Sequence, residues 1–145
     1  IIENTRSPKL KKYAQQSLGL LSEYAKRNKQ INDTSNFDPA LSDEVNRYIN
    51  MIRSDKIALK KDAAKTIYRQ HFTEKALYNA LNDELLRWYK TVSQSDRHGV
   101  DTLAWMCKAL GTSGNSDYKS TLTEIYENSS NSRLKVHIKK SLGML

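Results

Sequence analysis

The chain has 145 residues, which suits one domain with a sizeable buried core. Its 24 Lys and Arg residues outnumber 16 Asp and Glu residues, and the net charge is +8. The low Gly and Pro content favours helices over strands, the single cysteine excludes a disulfide scaffold, and no apolar run approaches the ~20 residues that span a bilayer. The opening Ile-Ile-Glu-Asn is typical of a helix end, so we interpret residues 1–145 as one domain cut from a longer chain. The sequence does not distinguish a cytoplasmic location from a bacterial periplasmic one.

Apolar residues at spacings of three and four predict seven helices in chain order. The first opens at Ser7-Pro8, and a polar tract at 28–36 is predicted to be a linker. The second opens at Asp38-Pro39. The remaining five are expected to begin near Ser54, Thr73, Val100, Tyr118 and Ser132. No segment of useful length alternates with period two, so the sequence predicts an all-α protein.

The end of the chain repeats its beginning. Residues 1–21 align without a gap on residues 125–145. The identical pairs are Ile1/Ile125, Glu3/Glu127, Asn4/Asn128, Leu10/Leu134, Lys11/Lys135, Ser17/Ser141, Leu18/Leu142, Gly19/Gly143 and Leu21/Leu145. Self-similarity of this kind indicates a repeat architecture, in which each helix pair buries its apolar face against its neighbours.

The second helix of each pair follows a shared pattern: an apolar residue is followed eight positions later by Leu-Gly or its equivalent, as in Leu134 and Leu142-Gly143. On residues 118–145, the start of the chain and the run DTLAWMCKALG, the protein resembles the HEAT-repeat (armadillo-like) family. The resemblance implies an α-α superhelix of about three and a half HEAT-like helix pairs. It also implies a role in binding partners, and it brings no catalytic residues.

The charge is concentrated on the second helices, which hold 17 of the 24 Lys and Arg residues and 4 of the 16 Asp and Glu residues. In a HEAT-like array these helices line one face. We therefore expect a basic partner-binding face made of Lys11, Lys12, Lys60, Lys61, Lys65, Lys135, Lys139 and Lys140. An ordinary solvated helix surface is the alternative interpretation, because lysine is a good helix former.

The sequence offers no arrangement for catalysis. The three histidines and Cys107 share no ligand spacing, so neither a metal site nor a cofactor is predicted. Adjacent carboxylates on a helix, such as Asp83-Glu84, point about 100° apart and cannot form a catalytic dyad. Cys107 is predicted to be a buried thiol. Trp88 and Trp105 are predicted to pack in the core, with base stacking as the alternative.

These features predict a non-enzymatic protein-protein interaction scaffold whose basic second-helix face binds an acidic protein. A nucleic-acid-binding HEAT-like domain related to the alkylpurine DNA glycosylases is the alternative, motivated by the pI near 9.5.

One prediction tests the phase of the last helix directly. Leu122 and Ile125 should pack against Leu134, Ile138 and Leu142, while Lys139 stays in solvent.

Overall fold

A computed structural model describes residues 8–145, and within them all regular structure is helical. The seven α-helices are α1 (Pro8–Ile31), α2 (Asp43–Arg53), α3 (Ile57–Gln70), α4 (Lys75–Trp88), α5 (Arg97–Gly111), α6 (Lys119–Asn128) and α7 (Ser132–Met144). Short 3₁₀ turns precede α2 and α6 and follow α4. The predicted all-α fold of about seven helices is confirmed.

Side-chain caps explain where several helices begin. Ser42, Asp96 and Asn131 each accept a hydrogen bond from a backbone N–H in the first turn of α2, α5 and α7. The cap at Asp96 starts α5 three residues earlier than predicted. The predicted cap Ser7 and the first seven residues of the internal repeat lie outside the described residues.

Three other predicted boundaries were wrong. Helix α1 continues to Ile31, through part of the tract predicted to be a linker. Helix α2 begins at Asp43 rather than at Asp38-Pro39. Asn46 bonds both the N–H and the C=O of Asp38, which holds the segment before α2 as a turn. Helix α4 is preceded by Glu74, and Thr73 is not its cap.

The helices form two layers. In one, α5 packs between α3 and α7; we call this the second-helix layer. In the other, α4 packs against α2 and α6; we call this the first-helix layer. The pairs α2–α3, α4–α5 and α6–α7 also pack against each other across the layers. Successive pairs therefore stack into an α-α repeat array, with one continuous core between the layers.

The predicted phase of the last helix is confirmed. Leu122, Ile125, Leu134 and Ile138 are fully buried, and α7 packs against both α6 and α5. Leu142 is partly buried, whereas Lys139 is exposed. At the α5–α7 contact a Cβ built on Gly111 would lie 3.1 Å from the Cβ of Ser141, so the two backbones approach closely there.

Helix α1 is attached mainly through its C-terminal half. Asn50 donates hydrogen bonds to the C=O groups of Ile31 and Asp33, and Lys56 pairs with Glu23 at 3.1 Å. None of its 24 residues is buried. Its predicted apolar stripe instead faces solvent, with Leu10 61% and Leu18 54% exposed.

Candidate functional site

The outward side of the second-helix layer combines aromatic and cationic side chains. On each helix the residues opposite the core recur at spacings of three and four, which places them in one row. We call this surface the basic-aromatic face. It comprises Lys61, Lys65 and Tyr68 of α3, Asp101, Trp105 and Lys108 of α5, and Arg133, His137 and Lys140 of α7.

At the centre of the face, Trp105 is packed between two lysines and a tyrosine. The Lys108 ammonium lies 4.0 Å from the centroid of the Trp105 ring, and the Lys65 ammonium lies 5.3 Å from it. Tyr68 meets the same ring edge-on at a centroid distance of 5.8 Å. Cation–π attraction therefore orders two lysines that would otherwise repel each other.

One acidic residue lies on this face, and it is already paired. Lys61 bonds Asp101 at 2.7 Å and links α3 to α5. The hydrogen bond from Lys61 is the main reason why the pKa of Asp101 is lowered. Asp101 is therefore a carboxylate at neutral pH, and Lys61 offsets its charge.

Charge on the face also acts on His137. Partial burial is the main cause that lowers its pKa, and the nearby cations of Lys108, Lys140 and Arg133 lower it further, against an opposing effect of Asp101. His137 is thus neutral at pH 7 and lies in a region of positive potential. The charge of Lys108 on α5 therefore acts on His137 of the neighbouring helix α7.

A cleft of about 310 Å³ opens between the first turns of α5 and α7. Polar residues dominate its lining, which comprises Gln94, Arg97, Val100, Asp101, Ala104, Asn131, Arg133, Leu134 and His137. The cleft adjoins the basic-aromatic face through Asp101, Arg133 and His137.

The structure brings together only part of the predicted basic set. Lys61, Lys65 and Lys140 belong to the basic-aromatic face. Lys135 lies on another side of α7, with its ammonium 4.9 Å from the centroid of the Tyr126 ring of α6. Lys139, one turn later, is exposed on that same side.

Lys11 and Lys12 are exposed on α1. This helix contacts α2 and does not extend the second-helix layer as α3, α5 and α7 do.

The expectation that Lys60 lies on the basic surface is corrected by the structure. Its side chain is 1% exposed, and its ammonium bonds the Ile52 carbonyl at 2.7 Å and Glu84 at 2.5 Å. The ring of Trp88 lies beside it at 5.3 Å. Lys60 is therefore a core residue that joins α3 to α4 and to the end of α2, and it offers no charge to a partner.

The buried pair is stabilised by a third group, Arg87, which also bonds Glu84. Burial alone pushes the pKa of Glu84 upward, but the bonds from Arg87 and Lys60 outweigh it and the pKa is lowered. Burial lowers the pKa of Lys60 against the opposing effect of Glu84. The short contacts support an ion pair at neutral pH.

The structure also places the cysteine and the two tryptophans that the sequence singled out. Cys107 is fully buried, as predicted, and burial raises its pKa to about 12. Trp88 and Trp105 are both partly buried against the core, so the core-packing prediction holds only in part. Among residues 8–145 no three His, Cys, Asp or Glu side chains group together as metal ligands.

Sequence reasoning missed five members of the face: Tyr68, Asp101, Lys108, Arg133 and His137. Their spacing in the sequence could have indicated the face. Lys61, Lys65 and Tyr68 are separated by the same numbers of residues as Asp101, Trp105 and Lys108. In both helices a basic or aromatic residue recurs opposite the apolar stripe.

No helix between residues 8 and 145 is both long and apolar enough to cross a membrane. In comparisons with known proteins, no family model, no curated protein and no solved structure matches this chain.

Proposed function

We propose that the protein is a non-enzymatic interaction scaffold whose basic-aromatic face binds an acidic segment of a partner protein. The cluster of Lys65, Tyr68, Trp105 and Lys108 is the observation that carries this proposal. Two ammonium groups held over one indole ring form a fixed cationic surface, and a fixed surface loses less side-chain entropy on binding than free lysines do.

The arrangement of charge supports a partner rich in Asp and Glu. Within residues 8–145, Lys61 is the one cation of the face that forms an ion pair, and its partner Asp101 also acts at longer range on Lys65 and Arg133. One carboxylate against the several cations of the face leaves an excess of positive charge. A surface of one sign attracts an oppositely charged partner and raises its association rate at low salt. Tyr68 and Trp105 add apolar contact area beside the charges, as aromatic residues do at interfaces.

Nucleic acid is the alternative partner, and the packing around Trp105 favours the acidic protein over it. Stacking of bases needs an aromatic face open to the ligand. Here both lysines lie over the Trp105 ring, and Tyr68 covers an edge. A carboxylate can bind such lysines from outside while each cation–π contact stays in place.

The HEAT-like assignment belongs to the same proposal. It rests on the internal repeat of residues 1–21 and 125–145 and on the stacked helix pairs, and it accounts for a binding role without catalysis. In such arrays the outward side of one helix layer is the usual partner surface.

The test is the affinity for a fluorescein-labelled acidic peptide of mixed Asp and Glu, measured by anisotropy. Changing Lys65→Gln and Lys108→Gln together should weaken binding by about five- to tenfold, the equivalent of two surface ion pairs. The matched control, Lys75→Gln with Lys119→Gln in the first-helix layer, removes the same charge and should change affinity by less than about twofold. Equal losses in both variants would refute the proposed face, and tighter binding of an oligonucleotide at equal salt would favour the alternative.

A further inference from the structure

The cleft between α5 and α7 presents unpaired hydrogen-bond donors. Within residues 8–145, neither Arg97 nor Arg133 makes an ion pair or a side-chain hydrogen bond, and both line the cleft. Guanidinium groups bind phosphate and carboxylate groups through two parallel N–H bonds, which makes them the residues best suited to planar or tetrahedral anions.

A third donor is oriented by the loop before α7. The Gln94 carbonyl oxygen accepts hydrogen bonds from the Ser129 hydroxyl at 2.8 Å and from the Asn131 N–H at 3.2 Å. These two donors fix the direction of the amide, so its NH₂ group is the end left for a ligand. Gln94 lines the same cleft as the two arginines.

The acceptors in the cleft do not cancel these donors. Asp101 also lines it, but its carboxylate is bonded to Lys61 at 2.7 Å. The side-chain oxygen of Asn131 accepts the Leu134 N–H as the cap of α7. His137 also lines the cleft. The positive charges of Lys108, Lys140 and Arg133 act on its imidazole ring and lower its pKa. The cleft is therefore donor-rich and positive, and its two guanidinium charges match a dianion better than a single carboxylate.

We propose that this cleft binds a phosphate monoester, namely a phosphorylated Ser or Thr within the acidic segment that the basic-aromatic face holds. The proposal rests on the proposed function, because it names one residue of the same partner. Arg97 and Arg133 bind the phosphate oxygens, and the Gln94 NH₂ group donates the remaining hydrogen bond. Lys65 and Lys108 bind the acidic residues that flank it.

The test compares an acidic peptide with its counterpart phosphorylated at one serine, using anisotropy at constant ionic strength. Phosphorylation should raise the affinity of the unchanged protein by about tenfold, as a charge-assisted bidentate contact does. In the Arg97→Gln variant, whose changed residue lies outside the basic-aromatic face, this gain should fall to about threefold or less because one of the two guanidinium groups is gone. Affinity of this variant for the unphosphorylated peptide should stay within about twofold. The matched control is Arg53→Gln, which removes one exposed arginine elsewhere and should keep the full gain.

Two results would overturn the proposal: no gain on phosphorylation, or a full gain that persists in the Arg97→Gln variant. Inorganic phosphate should shift the side-chain N–H signals of Arg97 and Arg133 more than chloride does at the same ionic strength. A larger response to phosphatidic acid vesicles than to the phosphopeptide would contradict a protein partner.

Binding of the unphosphorylated peptide and the gain on phosphorylation test the two proposals separately. If the unchanged protein binds the unphosphorylated peptide and phosphorylation brings no gain, only the cleft proposal is refuted. Failure of that peptide to bind, with the phosphate shifts retained, refutes the acidic-segment proposal.

Discussion

The ammonium of Lys108 lies over the ring of Trp105, three residues earlier on the same helix, at 4.0 Å from the ring centroid. The contact fixes a positive charge on the outward side of α5, next to His137 of α7. Two neighbouring helices of the array are thereby coupled through an electrostatic interaction on the surface.

Replacing Lys108 with Gln should raise the pKa of His137. Partial burial is the main cause of its lowered pKa, and Lys108 is the strongest of the charges that add to it. Removing that cation makes the imidazolium easier to form, so the pKa should move toward 6.5, its ordinary value. An NMR titration of the His137 ring protons measures it. Lys119→Gln, in the first-helix layer, is the control, and an unchanged pKa in Lys108→Gln would contradict the coupling.

Two consecutive lysines should differ sharply in their effect on stability. Lys60→Ala breaks a buried ion pair and leaves Glu84 with Arg87 as its remaining cation. The cost should lie toward the lower end of about 3–5 kcal/mol of unfolding free energy. Lys61→Ala removes a half-exposed pair with Asp101 and should cost less than about 1 kcal/mol. Urea unfolding followed by circular dichroism measures both. Similar losses at the two positions would show that Lys60 does not form the buried ion pair with Glu84.

The same ion pair predicts how stability changes in acid. The folded-state pKa of Glu84 lies below its ordinary value of 4.5, so the carboxylate contributes its full stabilisation above about that pH. This contribution is lost as the pH falls through the folded pKa. Glu84→Gln should therefore flatten the fall in the urea midpoint between about pH 5 and pH 3. A fall as steep as that of the unchanged protein would assign the acid sensitivity to other carboxylates.

The internal repeat supplies a matched pair of leucines with opposite environments. Leu134 is fully buried between α5 and α6, whereas its counterpart Leu10 is 61% exposed on α1. Leu134→Ala should cost about 2–5 kcal/mol because it leaves a cavity. Leu10→Ala should cost less than about 0.5 kcal/mol, since the side chain fills no cavity. A large loss at Leu10 in thermal unfolding would mean that the apolar side of α1 is covered in solution.

Gly111 and Gly19 should respond in opposite ways when each is replaced by alanine. A methyl group on Gly111 would lie 3.1 Å from the Cβ of Ser141 and 3.2 Å from its Cα, so Gly111→Ala should cost about 1–3 kcal/mol by forcing α5 and α7 apart. At Gly19, apart from its chain neighbours and the nearby backbone of its own helix, no atom of the described residues lies within 4 Å of the added methyl. Gly19→Ala should instead stabilise the protein by up to about 1 kcal/mol, because alanine is the better helix former. Calorimetry of the two variants measures the difference, and a stabilised Gly111→Ala would refute the close approach.

Apolar periodicity was sufficient to predict the seven helices and the phase of α7, because the stripe through Leu134 and Ile138 can be buried on one side only. It did not predict the end of α1 or the start of α2. The end of α1 depends on contacts distant in sequence, namely the bonds that Asn50 makes to the C=O groups of Ile31 and Asp33. The start of α2 depends on the side-chain bonds between Asn46 and the backbone of Asp38. Helix propensity and local polarity carry no information about such contacts.

The basic surface was predicted only in outline, since net charge per helix does not specify which lysines face water. Lys60 and Lys61 are adjacent in sequence and point about 100° apart, so one enters the core and the other reaches the surface. The burial of Lys60 depends on Glu84, a partner 24 residues away on another helix. Trp105 likewise acquires Lys65 as a neighbour only when α3 packs against α5, whereas Lys108 lies on the same helix as Trp105.

The central claim is that the basic-aromatic face binds an acidic segment, and the most direct measurement is an NMR map of where such a peptide binds. On titration with the unphosphorylated peptide, the largest shifts are expected at the Trp105 indole N–H and at the backbone amides of Lys65, Lys108 and His137. The signals of α2, α4 and α6 should stay in place, and the shifts should shrink as salt rises from about 50 to 200 mM. Shifts concentrated on the first-helix layer or on α1, or no shifts at low salt, would contradict the account.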